Sequence, residues 1–147
     1  MVKIEIVSAL PFEGFVALRA ESEKEGYRFL KRLEMDWGAH KNRFSLPGEG
    51  LYKVLAHAEL IGIGGINQCP YKHTEGIGRI RRFYIKSSWR SQGIGKKLLA
   101  HLIAEKGAAF AEINLSTDSE AAARFYERNG FARIHDEAKV SHRLIHP

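Results

Sequence analysis

The sequence predicts a single mixed α/β domain, and three observations lead there. Its 147 residues, 44% hydrophobic and 27% charged, have the make-up of an ordinary globular chain long enough to enclose a hydrophobic core. Segments that alternate with period two are interleaved with segments of helical period. Glycine- and proline-bearing junctions separate them, giving the order β-α-α-β-β-β-α-β-α-β-β over residues 1–147, with no repeat, linker or low-complexity tract.

Val2-Lys3-Ile4-Glu5-Ile6 alternates strictly and reads as the first strand. After Pro11 a largely helical stretch runs to about Trp37, with Tyr27, Leu30 and Leu33 at helical spacing. Gly38, Pro47, Gly48 and Gly50 mark a loop. Two strands follow, near 51–58 and 60–68, turning near Ala58-Glu59. The second carries Gly62, Gly64 and Gly65, the sign of a bulge or a close backbone approach. A polar stretch from Pro70 to Gly78 leads to a fourth strand, Arg79–Lys86. A helix from about Gly93 to Lys106 has the apolar stripe Ile94, Leu98, Leu99, Leu102 and Ile103. Ala111–Leu115 is a short strand. Thr117 with Glu120 fits a capping box for the last helix, and Ser119 is an alternative cap. Asn129-Gly130 ends that helix, with Gly130 suited to the left-handed position and Phe131 to the contact after it. Strands near 131–136 and 139–145 close the pattern.

Composition removes several classes. The lone Cys69 excludes an internal disulfide framework or a cysteine-based zinc site, and no metal is expected. No apolar run approaches the roughly 18 residues of a membrane span, and Lys3 and Glu5 break up any signal-peptide core. The expectation is a cytoplasmic protein with no membrane partner. The formal charge of +6 is unevenly placed. From Arg79 to Lys97 stand seven basic residues and no acidic one, so the rest of the chain sums to −1. Such a run usually makes a solvated face; a uniformly basic surface would suggest nucleic acid, whereas one local cluster suggests a discrete polyanionic ligand.

The chemistry is carried by Arg79 to Lys97, which reads as a strand, a turn, a loop with two glycines and the first turn of an amphipathic helix. The first amides of a helix have no intrahelical acceptor and lie at the positive end of its dipole, so they bind anions. Gly93 and Gly95 leave those amides open, and Arg90, Lys96 and Lys97 add positive charge. The Walker pattern fails, since Arg90 stands where its first glycine belongs and Lys97 where Ser or Thr belongs; Gly-x-Gly-x-x-Gly fails at Leu98. What remains, Arg90-Ser91-Gln92-Gly93-Ile94-Gly95, resembles the pyrophosphate motif Arg/Gln-x-x-Gly-x-Gly/Ala of the GCN5-related N-acetyltransferase (GNAT) superfamily. Ala121-Ala122-Ala123-Arg124-Phe125-Tyr126-Glu127-Arg128-Asn129-Gly130-Phe131 is similar to that family's Ala-x-x-Phe-Tyr-x-x-x-Gly-Phe segment.

The resemblance covers residues 51–136 closely. It implies a three-layer fold, a twisted, mostly antiparallel sheet of about seven strands with helices on both faces, whose fourth and fifth strands splay to admit acetyl-CoA. It implies an acyltransferase moving acetyl to a primary amine of a small molecule or protein. The backbone of Phe83, Tyr84 and Ile85 would hold the pantetheine arm and thioester, one amide steadying the oxyanion of the tetrahedral intermediate. The amides of Gln92, Gly93, Ile94, Gly95 and Lys96, with Ser91 and the Arg90 side chain, would take the pyrophosphate. Tyr126 would lie near the cofactor sulfur and protonate the leaving thiolate. Ser119 stands where the family often has Asn, and can still cap its helix. The fourth strand lacks the glutamate that serves some members as general base, so Glu75, His73 and His142 are the candidates, unless the amine arrives neutral; Glu75 is the one chosen.

The acceptor regions of this fold correspond to residues 11–48, 68–78 and 134–146, with Trp37, His40, Tyr71, His73, Glu75, His135 and His142 among them. The mixed signs of the first helices argue against a nucleic-acid face. The alternatives are a non-catalytic acyl-CoA-binding or regulatory module and, behind it, a nucleic-acid binder using residues 79–97. Homodimers are frequent in the family, and the sequence supplies no interface.

Overall fold

In the computed structural model, which describes residues 1–72 and 74–145, the chain runs through β1 (Val2–Ile6), α1 (Phe15–Lys24), α2 (Phe29–Gly38), β2 (Gly50–Ala56), β3 (Glu59–Gln68), β4 (Ile77–Ile85), α3 (Ile94–Lys106), β5 (Glu112–Leu115), α4 (Glu120–Arg128), β6 (Ala132–Arg133) and β7 (His142–Ile145). One seven-stranded sheet has the order β1-β2-β3-β4-β5-β7-β6, antiparallel throughout except between β4 and β5. The element order and fold class are those expected.

Alternation along β2 organises the layers. Tyr52, Val54 and Ala56 face α3 and α4, where Leu98, Leu99, Leu102, Tyr126 and Phe131 pack. Leu51 and Leu55 face the opposite layer, with Phe15 and Leu18 of α1 and Leu30, Leu33 and Trp37 of α2. The α3 stripe is buried as its period predicts, with Ile103 only half-buried.

Several boundaries differ from expectation for local reasons. The two helices expected in the stretch to Trp37 are divided at Gly26, which adopts φ +92° and ends α1. The Gly26 amide donates to Glu23 O (2.9 Å) and the Tyr27 amide to Ser22 O (3.0 Å), a Schellman closure. Tyr27 therefore stands outside α2, exposed, rather than on its apolar stripe. The same closure ends α4: Gly130 has φ +95°, and the Phe131 amide donates to Tyr126 O at 3.0 Å. The β2–β3 turn lies at His57-Ala58, one residue earlier than expected, both at positive φ (50° and 70°) as a two-residue turn of right-handed twist demands. Ser119, not Thr117, caps α4, accepting from the Ala122 amide at 3.3 Å, while Thr117 Oγ1 accepts from the Ser119 amide. The last two strands are shorter than predicted. Glu137 between them is drawn to Lys72 at 2.9 Å, and Lys139 turns the chain at φ +65°.

No helix among the described residues is long and apolar enough to cross a membrane.

Candidate active site

A cleft of about 1020 Å³ opens between β4 and β5. Its cause is local. The two strands pair only at Ile77–Arg79 against Glu112–Asn114. Beyond that point β5 is held from its other side, where the Ser141 amide donates to Leu115 O at 2.9 Å and Ser141 Oγ accepts from the Thr117 amide at 2.9 Å. β4 meanwhile bends away. Against β3 its register slips between Tyr84 and Arg81, leaving Arg82 and Phe83 opposite the single residue Gly64, and Arg82 takes φ +58°. Such a bulge kinks and twists its strand. At the vertex, buried Asn114 accepts from Arg79 Nη1 (3.1 Å) and donates to Cys69 Sγ (3.5 Å).

The glycines of β3 make room for this bend. A Cβ on Gly64 would lie 2.8 Å from Phe83 Cδ2, and one on Gly65 2.6 Å from Phe44 Cε2. The close approach suggested by the glycine-rich strand is therefore present; the bulge beside the cleft belongs to β4.

At one end of the cleft lies the loop before α3. Ser91 (φ +64°) and Gly93 (φ +81°) turn the backbone so that none of the amides from Gln92 to Lys96 donates to an acceptor among the described residues. A Cβ at Gly93 would meet nothing within 4 Å, whereas one at Gly95 would touch the Phe125 ring at 3.3 Å. Gly93 thus serves backbone conformation and open approach; Gly95 serves the packing of α3 on α4. The free amides, at a helix N-terminus and beside Lys96, form an anion cradle.

Tyr126 lines the middle of the cleft. Its ring stacks against Phe83 (6.0 Å between centroids), Phe125 (5.1 Å) and Phe131 (5.6 Å). Its hydroxyl makes no hydrogen bond among the described residues. Burial pushes its pKa up, so at neutral pH the group is a phenol, a proton donor rather than a base.

Arg90 borders the cleft, and its side chain also has partners within the fold. The expectation gave its side chain to the pyrophosphate, yet its guanidinium is held by Glu25 in a bidentate pair (2.6 and 3.0 Å), donates from Nε to Ile85 O (3.0 Å) and lies over the Tyr84 ring at 5.1 Å. Tyr84 hydrogen-bonds the carboxylates of both Glu21 and Glu25, and Glu21 also accepts from the Ser87 amide at 3.0 Å. Burial, followed by these two carboxylates, drives the Tyr84 pKa upward. Burial would raise Glu21, but the bonds from Tyr84 and Ser87 outweigh it and the net shift is downward. Glu25 is held below its ordinary value by Arg90 first and Tyr84 second. This clamp ties α1 to the end of β4. A depressed carboxyl stabilises the fold above its unfolded pKa and loses that effect as pH falls through the folded one. Glu25→Gln is therefore expected to melt below the wild type at pH 7, the difference closing below about pH 4 in a pH series of melting curves.

The remaining expected residues divide clearly. Phe83, Tyr84, Ile85, Ser91, Gly93, Ile94, Gly95, Lys96, Ser119 and Tyr126 border the cleft. Gln92 lies between bordering residues with its side chain on Ser88 O at 3.2 Å. Ser119 Oγ is occupied by its cap. Glu75, the chosen base, is exposed in the turn before β4 and does not line the cleft: it sits at the opposite end of β4 from Phe83–Ile85. His142 is buried, held by Glu127 and Ser141 (both 2.8 Å), and does not line the cleft either. His73 lies outside the described residues. Glu21 and Glu25 were missed by sequence reasoning; their i, i+4 spacing places both on one helix face, but nothing local shows that β4 packs there. Among the described residues no cluster of three or more His, Cys, Asp or Glu could hold a metal.

Known proteins share this fold. A solved structure from Exiguobacterium sp. 255-15, provisionally named an acetyltransferase, aligns with a TM-score of 0.87 at 27% identity, over 99% of this chain and 93% of the other. The PaiA N-acetyltransferase of Thermoplasma acidophilum, solved with coenzyme A, aligns at 0.70 with 19% identity over 99% of both chains. An aminoalkylphosphonate N-acetyltransferase of Salmonella typhimurium strain LT2 is 28% identical over 114 residues, 72% of this chain and 74% of that protein. The family profile described as "Acetyltransferase (GNAT) domain" matches residues 47–133. Because that match spans more than half of the sequence and contains both the phosphate-loop and the tyrosine segments, the chain belongs to the GNAT family and is an N-acetyltransferase.

Proposed function

We propose that the chain transfers the acetyl group of acetyl-CoA directly to a primary amine of a small molecule or protein, with acetyl-CoA as a substrate consumed in the reaction. The observation that carries this reading is the opening of β4 from β5, with unpaired amides at one end and an unbonded tyrosine hydroxyl at its centre. Coenzyme A in the Thermoplasma structure supports the choice of donor. The amides of Gln92–Lys96 hold the pyrophosphate, with Lys96 adding charge. Arg90 acts through position, fixing the loop to α1 and to Ile85 rather than binding phosphate itself. The edge of β4 from Phe83 to Ile85, which has no β5 partner, binds the pantetheine arm and offers an amide to the thioester oxygen. Ser119 keeps the N-terminus of α4 in place.

In the reaction the amine nitrogen forms a bond to the thioester carbonyl carbon and the C–S bond breaks, its electron pair leaving with sulfur. Tyr126 gives that sulfur its proton, the nitrogen of the tetrahedral adduct releases one proton to water as it becomes the amide, and the phenol is restored from solvent, so that amide and thiol are the neutral products. No Asp, Glu or His lines the described cleft wall, so the amine enters neutral or sheds its proton to water. The burial of unpaired Cys69 fits a reducing compartment such as the cytoplasm.

The test is acceptor-dependent release of coenzyme A thiol, followed with a panel of primary amines and confirmed by mass spectrometry of the amide. Thiol release matched by N-acetyl product is the expected result. Tight acetyl-CoA binding with no turnover on any amine would instead identify a binding module.

A further inference from the structure

The cleft has a second charged end. Along β4, away from the phosphate loop, Arg79, Arg81 and Arg82 line it, joined by Arg32 from α2, while no Asp or Glu borders the cleft among the described residues. Their partners do not balance them. The Arg82 side chain is 8% exposed and has one ion pair, to Asp36 at 3.5 Å. Arg79 is buried with the neutral amide of Asn114 as its hydrogen-bond acceptor and the Tyr71 ring at 4.8 Å. Arg81, half-buried, and Arg32, exposed, make no hydrogen bond or ion pair with their side chains among the described residues. Burial and then the Arg81 charge pull Arg82 down to about 10 against the opposing effect of Asp36, with Arg32 contributing, and Arg79 is depressed by burial first, with Arg81 adding to it. A buried guanidinium without a carboxylate, as at Arg79, is costly to keep, and four arginines facing one cleft with Asp36 as their one ion-paired carboxylate among the described residues leave an excess of positive charge there.

We infer that Arg32, Arg79, Arg81 and Arg82 form an oxyanion-binding subsite for the acceptor, so that the amine acetylated is a small molecule carrying a phosphonate, phosphate or carboxylate group. This rests on the acetyl-transfer reading above and names its substrate class. The cluster is separate from the pyrophosphate cradle, which lies past the far end of β4. Guanidinium groups suit the role because their donor forks match oxyanions in two-point contact. Arg82 immediately precedes Phe83 on β4, so the arginine cluster and the backbone assigned to the thioester are neighbours along one strand. The transfer step is unchanged: a C–N bond forms, the C–S bond breaks, and thiol and amide are the products. The arginines hold the acceptor's anion while its amine meets the carbonyl.

The test compares 2-aminoethylphosphonate, β-alanine and ethanolamine, which share an aminoethyl unit and differ in the terminal group. Thiol release is followed at fixed acetyl-CoA, together with the thermal shift that acetyl-CoA alone produces. The wild type is expected to favour at least one anionic amine over ethanolamine by about a hundredfold in kcat/KM, the scale of one or two charged hydrogen bonds. Arg81→Gln and Arg32→Gln, at sites accessible enough for the fold to persist, should each reduce that ratio about tenfold, through KM, with the acetyl-CoA shift retained. The ratio between phosphonate and carboxylate tells which oxyanion is preferred. Equal or better use of ethanolamine, no turnover of either anionic amine, or loss of the acetyl-CoA shift in Arg81→Gln would overturn the inference. A wild type that shows no acetyl-CoA shift removes the transfer reading itself, a failure distinct from the others.

Discussion

Replacing Tyr126 by Phe is expected to lower kcat for acetyl transfer by about a hundredfold or more, the range of a lost general acid, while acetyl-CoA affinity stays within about twofold. The separation follows from the surroundings of the residue. The ring packs among Phe83, Phe125 and Phe131, and phenylalanine keeps those contacts. Among the described residues the hydroxyl makes no hydrogen bond whose loss would strand a buried partner. Burial raises its pKa, so the proton is present at pH 7 and available to a departing thiolate, itself a good acceptor. Stopped-flow thiol release, with acetyl-CoA binding by calorimetry, reads the two quantities separately. Transfer at the wild-type rate would exclude Tyr126 as the acid; an equal loss of binding would make it a positioning residue.

Gly64→Ala is expected to destabilise the fold by about 1–3 kcal/mol, the usual range for overfilling a packed interior, which for this chain length corresponds to roughly 3–10 °C in melting temperature. The added methyl would meet Phe83 at 2.8 Å and Leu98 at 3.0 Å. Leu98, on the inner face of α3, is fully buried and has nowhere to retreat, so Phe83 must give way. Phe83 shares the bulge with Arg82 opposite Gly64, and shifting it changes the twist that carries β4 away from β5. Acetyl-CoA binding should therefore weaken along with stability, a coupling that a core substitution remote from β4 would not show. A Gly64→Ala protein with wild-type melting and binding would contradict this account of why β4 opens.

Much of this architecture was legible in the sequence, because periodicity reports burial directly. The α3 stripe, the alternation of β1 and the Asn129-Gly130-Phe131 terminus all act within a few residues of themselves. The phosphate loop was legible for the same reason: two glycines and a helix start suffice to define free amides. Glu25-Gly26-Tyr27 carries the same helix-ending signal as Asn129-Gly130-Phe131, but the polar, helix-favouring residues on both sides hide it. Long-range pairings were not legible. Arg90 reads as a phosphate ligand until α1 brings Glu25 to it across 65 residues. The basic run from Arg79 to Lys97 reads as one cluster, yet the bulge at Arg82 and the turn after Ile85 divide it between two ends of a cleft. Glu75 is close to β4 in sequence and at the wrong end of it in space.

The most direct test of the account is the melting temperature with and without excess acetyl-CoA, beside a sulfate control of matched ionic strength. At a hundredfold excess over Kd, binding to the folded chain alone adds about 2.7 kcal/mol, roughly a five to ten degree rise for a chain of this size. A rise beyond that given by sulfate is the predicted result, and ties the unpaired amides of Gln92–Lys96 to the donor. No rise, or one that sulfate reproduces in full, would contradict the assignment of the β4–β5 cleft as an acetyl-CoA site.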